Sequence, residues 1–382
     1  MESDWIPISI ADVAGREEQL VQHALQSGRL SNGLMVEAFE AVFADFHERK
    51  YAVAVSSGMA GAWLSLRALG IGPGDEVIAS AYSWHHLAHA IAHVGATPVL
   101  ADIDYWSGCL SPTKAAEKIT ARTRAILVGN CNGHPAAWRE FRELANAHGI
   151  ALIEDSSEAI GSRYYDDLVG SFGDLSIFDL SQPLAVSCGE GGMVLTDDAS
   201  LASELRYLRA HSLSDRMSVS VGSRVPLQSC MSDVSAAIGI AQMERIYEIL
   251  ARRKVVETFY HAVMQTFEGI KPPYIAEGVT EVHWMLYIVH LGKRFTASAR
   301  AQLIEDLDDE AIEVAAYSRP LYQHFHYASY GYGKGQLPNC ERIADRSLAL
   351  PFHGFISEDE VRFIVGTLKD AATNVGAGVP IY

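Results

Sequence analysis

Ile150-Ala151-Leu152-Ile153-Glu154-Asp155 is an almost unbroken apolar run that ends in two carboxylates. Too short for a helix, such a run reads as a strand buried on both faces, as in a parallel sheet. Runs of the same texture lie on either side. Tyr51–Val55, Glu76–Ala79, Pro98–Ile103, Ala125–Val128, Leu175–Leu180 and Gly192–Thr196 read as strands. Helical patterns separate them near Ala60–Ala68, His85–His93, Ala136–Ala147 and Ser200–His211. The alternation predicts an α/β fold with a mostly parallel sheet covered by helices. Ser232–Lys254 reads as one long amphipathic helix. Beyond it the texture changes to a strand (Met285–Leu291), two helices (Ala297–Leu307, Glu358–Ala372) and a loop rich in Tyr, His and Gly (Tyr317–Tyr332). The expectation is a large domain over 1–255 and a smaller α+β domain over 256–382.

The 382 residues are 49% apolar and 20% charged, which suits a folded chain of two or three domains. Lys and Arg number 30 against 47 Asp and Glu, a net charge of −17. So acidic a chain lacks the electrostatic footprint of a nucleic-acid or anionic-membrane binder. Five scattered cysteines without a CxxC pair indicate neither a disulfide framework nor a zinc ribbon. The first residues have no basic and apolar signal pattern, and no apolar run could span a bilayer. A cytoplasmic protein is expected.

A series of short motifs is more specific. Ser57-Gly58-Met59-Ala60 follows a strand and opens a helix, where free backbone N–H groups can receive an anion. Gly72-Pro73-Gly74-Asp75-Glu76-Val77-Ile78, Tyr82-Ser83-Trp84, Gly95-Ala96-Thr97-Pro98-Val99 and Ile153-Glu154-Asp155 follow. Then come Gly170-Ser171-Phe172-Gly173-Asp174, Gly189-Glu190-Gly191-Gly192, Met231-Ser232-Asp233 and Ala241-Gln242-Met243-Glu244-Arg245. In this order and spacing the chain resembles, over almost its whole length, the DegT/DnrJ/StrS family of sugar aminotransferases, which are fold-type-I pyridoxal-phosphate enzymes. The resemblance implies a seven-stranded large domain, a small C-terminal domain and a dimer with its active sites between subunits. It places Asp155 against the cofactor's pyridine nitrogen and Trp84 over the ring.

It also exposes departures. The position of the Schiff-base lysine, five residues before the Gly-Glu-Gly-Gly turn, is Leu184. A Schiff base needs an amine, which leucine lacks. The family's phosphate-binding Ser corresponds to Asp179, and a carboxylate repels a phosphate. The Thr after Gly58 is Met59, the Asn from the neighbouring subunit is Gln228, the Arg two residues later is Cys230, and the group facing the ring oxygen is Glu158. The joint changes lead to the expectation that no cofactor is used, with pyridoxal or pyridoxamine phosphate as the alternative.

Candidate catalytic groups are then Asp155, Glu158, Asp179, His134 and, beside Trp84, His86. Gly58, Met59, Ala60, Trp84, Leu184, Gln228 and Arg319 would line the cavity. If the three carboxylates share it, one becomes a neutral acid. His85, His89 and His93 recur at i, i+4 and i+8, a spacing that permits metal ligation but more commonly marks an ordinary helix face; no metal is expected. Cys188 reads as packing. Three functions stay open: an enzyme of natural-product biosynthesis using the old cavity for acid–base chemistry on an amino sugar, aminocyclitol or related metabolite; a non-catalytic subunit of an active paralogue; and a cofactor enzyme without the lysine. A homodimer is expected, with a heterodimer as the alternative.

Overall fold

The computed structural model describes residues 5–83, 87–210, 225–264 and 270–375. Its strands are β1 (Tyr51–Val55), β2 (Glu76–Ser80), β3 (Thr97–Ala101), β4 (Thr123–Gly129), β5 (Ala151–Asp155), the short pair β6 (Arg163–Tyr164) and β7 (Asp167–Leu168), β8 (Leu175–Asp179) and β9 (Gly192–Thr196). Toward the C-terminus follow β10 (Ile270–Lys271), β11 (Val279–Glu281), β12 (Tyr287–Leu291) and β13 (Ser347–Leu350). The helices are α1 (Gly15–Gln26), α2 (Leu34–Phe46), α3 (Gly58–Ala68), α4 (Ala88–His93), α5 (Pro112–Ala116), α6 (Trp138–His148), α7 (Ala199–Arg209), α8 (Asp233–Glu244), α9 (Ile246–Met264), α10 (Ala297–Asp309), α11 (Pro338–Arg346) and α12 (Glu358–Asn374).

The large sheet has seven strands in the order β1-β9-β8-β5-β4-β2-β3. The pairs from β8 through β5, β4 and β2 to β3 are parallel, whereas β9 runs antiparallel to both its neighbours. Successive side chains of a strand point to opposite faces, so a strand apolar throughout must be covered twice. Val77, Leu127, Ile153 and Ile177 pack with Ala62 and Leu66 of α3 and Ile91 of α4. Their neighbours Ile78, Ile126 and Leu152 pack on the other face with Trp138 and Phe141 of α6.

Glu154 and Asp155 stand back to back by the same alternation. Glu154 is wholly buried. Its carboxylate accepts from the backbone N–H groups of Gly170 (2.5 Å), Phe172 (2.8 Å) and Gly173 (3.0 Å), and from the hydroxyls of Ser156 and Ser176. It thereby pins the turn that leads into β8.

The single helix expected over Ser232–Lys254 is two, α8 and α9, broken at Arg245. The guanidinium there is drawn to Asp12 and Glu17 of the N-terminal segment, at 2.7 Å each. Helix α2 lies against α8 so closely that a Cβ on Gly239 would come within 2.5 Å of the Phe39 ring. Helix α9 starts in the core that holds Ile246 and Leu250 and ends in the one that holds Val256, Tyr260 and Met264. In that second core Tyr260 stacks on Tyr287 of β12 at 4.1 Å, below the small sheet β10-β12-β13. Among the described residues no helix is long and apolar enough to cross a membrane.

Candidate functional site

Ligands of open α/β sheets bind at the carboxyl ends of the parallel strands. Here β4, β5 and β8 end at Gly129, Asp155 and Asp179, and α3 begins just past β1. Asp155, 3% exposed, accepts through Oδ1 from the Ser157 backbone N–H at 3.0 Å and from the Ser157 hydroxyl. Glu158 sits in the short 3-10 turn Ser157–Ala159 and accepts the Asn132 N–H at 2.5 Å and the Tyr317 hydroxyl. The Cys131 thiol points at the same Tyr317 oxygen, 3.3 Å away. Burial, reinforced by Cys131 and Glu158, holds the Tyr317 phenol well above its ordinary value. Burial likewise pushes the Cys109 and Cys188 thiols up to about 12, which keeps them protonated and non-nucleophilic.

Asp155, Glu158, Tyr82, Cys131 and Tyr317 enclose a cavity of about 20 Å³. A water needs roughly 10–15 Å³ measured this way, so the space suits a single water. Asp179 does not belong to this wall. Its Oδ2 accepts the Gly58 N–H at 2.8 Å at the N-terminus of α3, while Oδ1 accepts the N–H and hydroxyl of Ser181. The expected sharing of one cavity by three carboxylates is therefore corrected: two line it, and the third is drawn to the unsatisfied donors of a helix end.

Met59 packs partly buried against the α3–α4 core, and the Ala60 N–H is taken by the Ser57 hydroxyl at 3.1 Å. Leu184 is 5% exposed, in an apolar cluster with Tyr82, Tyr317, Tyr322 and Tyr327. Gln228 is exposed shortly before α8, and Arg319 is exposed beside a different concavity. Trp84, His85 and His86 lie outside the described residues. His134 is buried with both ring nitrogens engaged: Nδ1 donates to the Pro135 carbonyl (2.7 Å) and Nε2 accepts the Ala276 N–H (3.0 Å). Burial lowers its pKa to about 4. His89 meets Tyr327 rather than a metal partner, and no group of three or more potential ligands is arranged for a metal ion among the described residues.

Sequence reasoning did not single out Tyr317 as a partner of Glu158, nor Asn132. Asn132 has a φ of 51° and fixes the loop by a reciprocal pair of bonds to Leu286, at 2.9 and 3.0 Å. An Asn-Gly step, which favours left-handed backbone, was the available signal.

A family model described as the DegT/DnrJ/EryC1/StrS aminotransferase family matches residues 12–369. The spore coat polysaccharide biosynthesis protein SpsC of Bacillus subtilis is 32% identical over 377 residues, covering 96% of this chain and 97% of that protein. DesV of S. venezuelae, solved in complex with a ketimine intermediate, is 29% identical with a TM-score of 0.88, covering 97% and 99%. Spr1654 of Streptococcus pneumoniae, solved in its PLP form, is 25% identical with a TM-score of 0.89, covering 97% and 98%.

These findings overturn the expectation of a protein without cofactor. A family of aminotransferases, with neighbours solved in a PLP form and with a ketimine, points to pyridoxal phosphate as the cofactor of this fold. The geometry meets that group at one end. Asp155, buried at a strand end, suits a protonated pyridine nitrogen. At the other end the fit fails: the α3 N-terminus, where a phosphate would be received, already holds the Asp179 carboxylate, and no lysine lines the cavity among the described residues.

Proposed function

The chain belongs to the DegT/DnrJ/EryC1/StrS aminotransferase family, and from that premise we propose that it is the non-catalytic subunit of a heterodimer whose other member carries the pyridoxal phosphate. The assembly would act in the biosynthesis of an amino sugar or a related polar metabolite, as the name of its polysaccharide-pathway relative suggests. Pyridoxal phosphate, when bound, supplies the electron sink for moving an amino group.

One observation carries the reading: Asp179 seats its own carboxylate on the Gly58 N–H at 2.8 Å, where an anion would otherwise sit. Leu184, at the position assigned to the lysine, is packed among tyrosines and supports it. The carboxylates point the same way. Glu158 and Asp179 accept hydrogen bonds from their own chain, which ties both to the architecture around them.

Co-expression with an aminotransferase of the same family from the same organism tests it. The expected product is a heterodimer with one aldehyde cofactor per pair, linked to the partner's lysine. A homodimer of this chain that aminates a sugar with its own bound cofactor overturns the proposal. Such a result would favour the second reading, a cofactor enzyme without the lysine, which the placement of Asp155 supports. On that reading pyridoxamine phosphate stays bound through gel filtration and is lost in Asp155→Asn.

A further inference from the structure

A concavity of about 620 Å³ opens on the far side of the sheet from the crevice, where β1 and β8 begin and β9 ends. Pockets for small molecules run from roughly 300 to 1,000 Å³. The end of α2, the β6–β7 hairpin and one face of α9 wall it. Its cations are already matched: Arg49 holds Asp197 at 3.0 Å, Arg163 lies 3.7 Å from Glu281, and Lys254 holds Glu257 at 2.7 Å. Three of its carboxylates are not. Glu48, Asp166 and Asp167 are exposed and make no ion pair or side-chain hydrogen bond among the described residues. Glu48 and Asp166 have φ of 54° and 69°, a left-handed region that glycine or asparagine serves at lower cost, so the fold does not call for acids there. His47 belongs to the same wall and is 1% exposed. Its Nδ1 donates back to the Phe43 carbonyl at 3.0 Å, which leaves Nε2 as an acceptor, and Nε2 has no partner. Burial lowers the His47 pKa to about 3, so that lone pair stays available.

We propose that this concavity binds an aliphatic polyamine. Glu48 follows the end of α2, whereas Asp166 and Asp167 belong to the hairpin, so the anionic groups stand on two separate walls. A chain with an ammonium group at each end serves both walls, as a single metal ion does not; no three potential ligands are arranged for a metal among the described residues. Phe46 and Tyr247 add an aromatic surface, with ring centroids 6.0 Å apart and Tyr247 74% exposed. Aromatic faces cover methylene stems and attract ammonium groups. An ammonium group donates hydrogen bonds and accepts none, which complements both the carboxylates and the His47 Nε2. The site is independent of the heterodimer reading: its residues all come from this chain, and none of them lines the Asp155 cavity.

Isothermal titration of the full chain with spermidine tests it. Spermidine binds saturably, and butylamine, with a single charge, binds about tenfold more weakly. Glu48→Gln weakens spermidine by about three- to fivefold, the range of one exposed ion pair, and Asp166→Asn with Asp167→Asn by about tenfold. These carboxylates make no bond in the fold, so melting temperatures without ligand stay unchanged. His47→Phe fills the same cage without the acceptor and weakens binding as well. Glu305→Gln, at an exposed acid of α10, leaves binding unchanged. Absence of saturable binding, equal affinity for butylamine, undiminished affinity in the double variant, or an equal loss in Glu305→Gln overturns the proposal, the last two marking diffuse attraction to an acidic chain. Tighter binding of a lysine-rich peptide assigns the surface to a protein partner, and the polyamine proposal falls.

Discussion

Asp179 takes one backbone donor at the start of α3 and two more from Ser181. Hydrogen bonds to a charged group contribute about 1.5–3 kcal/mol each when buried. Asp179→Ala is expected to lower unfolding stability by about 2 kcal/mol, read from urea denaturation. The same geometry predicts an order of repair. Leu184→Lys alone gains no retained pyridoxal phosphate, because the helix end is still occupied. Leu184→Lys with Asp179→Ser frees the Gly58 N–H and gains a bound aldehyde, seen as a new absorption band; retention by the single variant would contradict the assignment. At this scale the sequence was legible where a strand end fixes a position, as with Asp155 at the close of β5. It was opaque for His134, whose two nitrogens are claimed by Pro135 and by Ala276 more than a hundred residues away.

The strands could be read because a strand buried on both faces has no polar interruption to misplace. Their observed limits differ from the expected ones by a few residues at most, as β5 at Ala151–Asp155 shows. The break between α8 and α9 could not be read. Neither Gly nor Pro marks it, and its cause is a tertiary pairing of Arg245 with Asp12 and Glu17, which are 7% and 2% exposed. Removing one partner of a buried pair leaves an uncompensated charge, at a typical cost of about 3–5 kcal/mol. Arg252 and Gln242 remain as second partners of Asp12 and Glu17. Arg245→Ala should therefore cost somewhat less, about 2–3 kcal/mol, and a denaturation curve superimposable on the parent would refute that account of the break.

Over the whole molecule, several imidazoles are buried uncharged. Burial lowers His47 to about 3 and His134 and His290 to about 4, against an ordinary 6.5. The unfolded chain therefore takes up these protons first. Stability is undiminished above pH 6.5, falls as the pH drops below it, and stops falling from this source near pH 3–4, where the folded groups also protonate. The slope approaches about 1.4 kcal/mol per pH unit for each group. Melting temperatures between pH 7 and pH 4.5 should show the decline, and His47→Leu, inside its cage of Phe43, Phe46 and Phe178, should flatten it. A pH-independent melting temperature in this range would refute the linkage.

Two adjacent acids on β5 answer to different masters. Glu154 braces the turn into β8 through three backbone donors, and Asp155 looks into the crevice. The first holds a turn in place, and the second is bonded to Ser157 beside it. A lineage can thus exchange its trade at 155, 158, 179 and 184 while its architecture is inherited unaltered, so shared ancestry vouches for the shape and the occupation must be established anew.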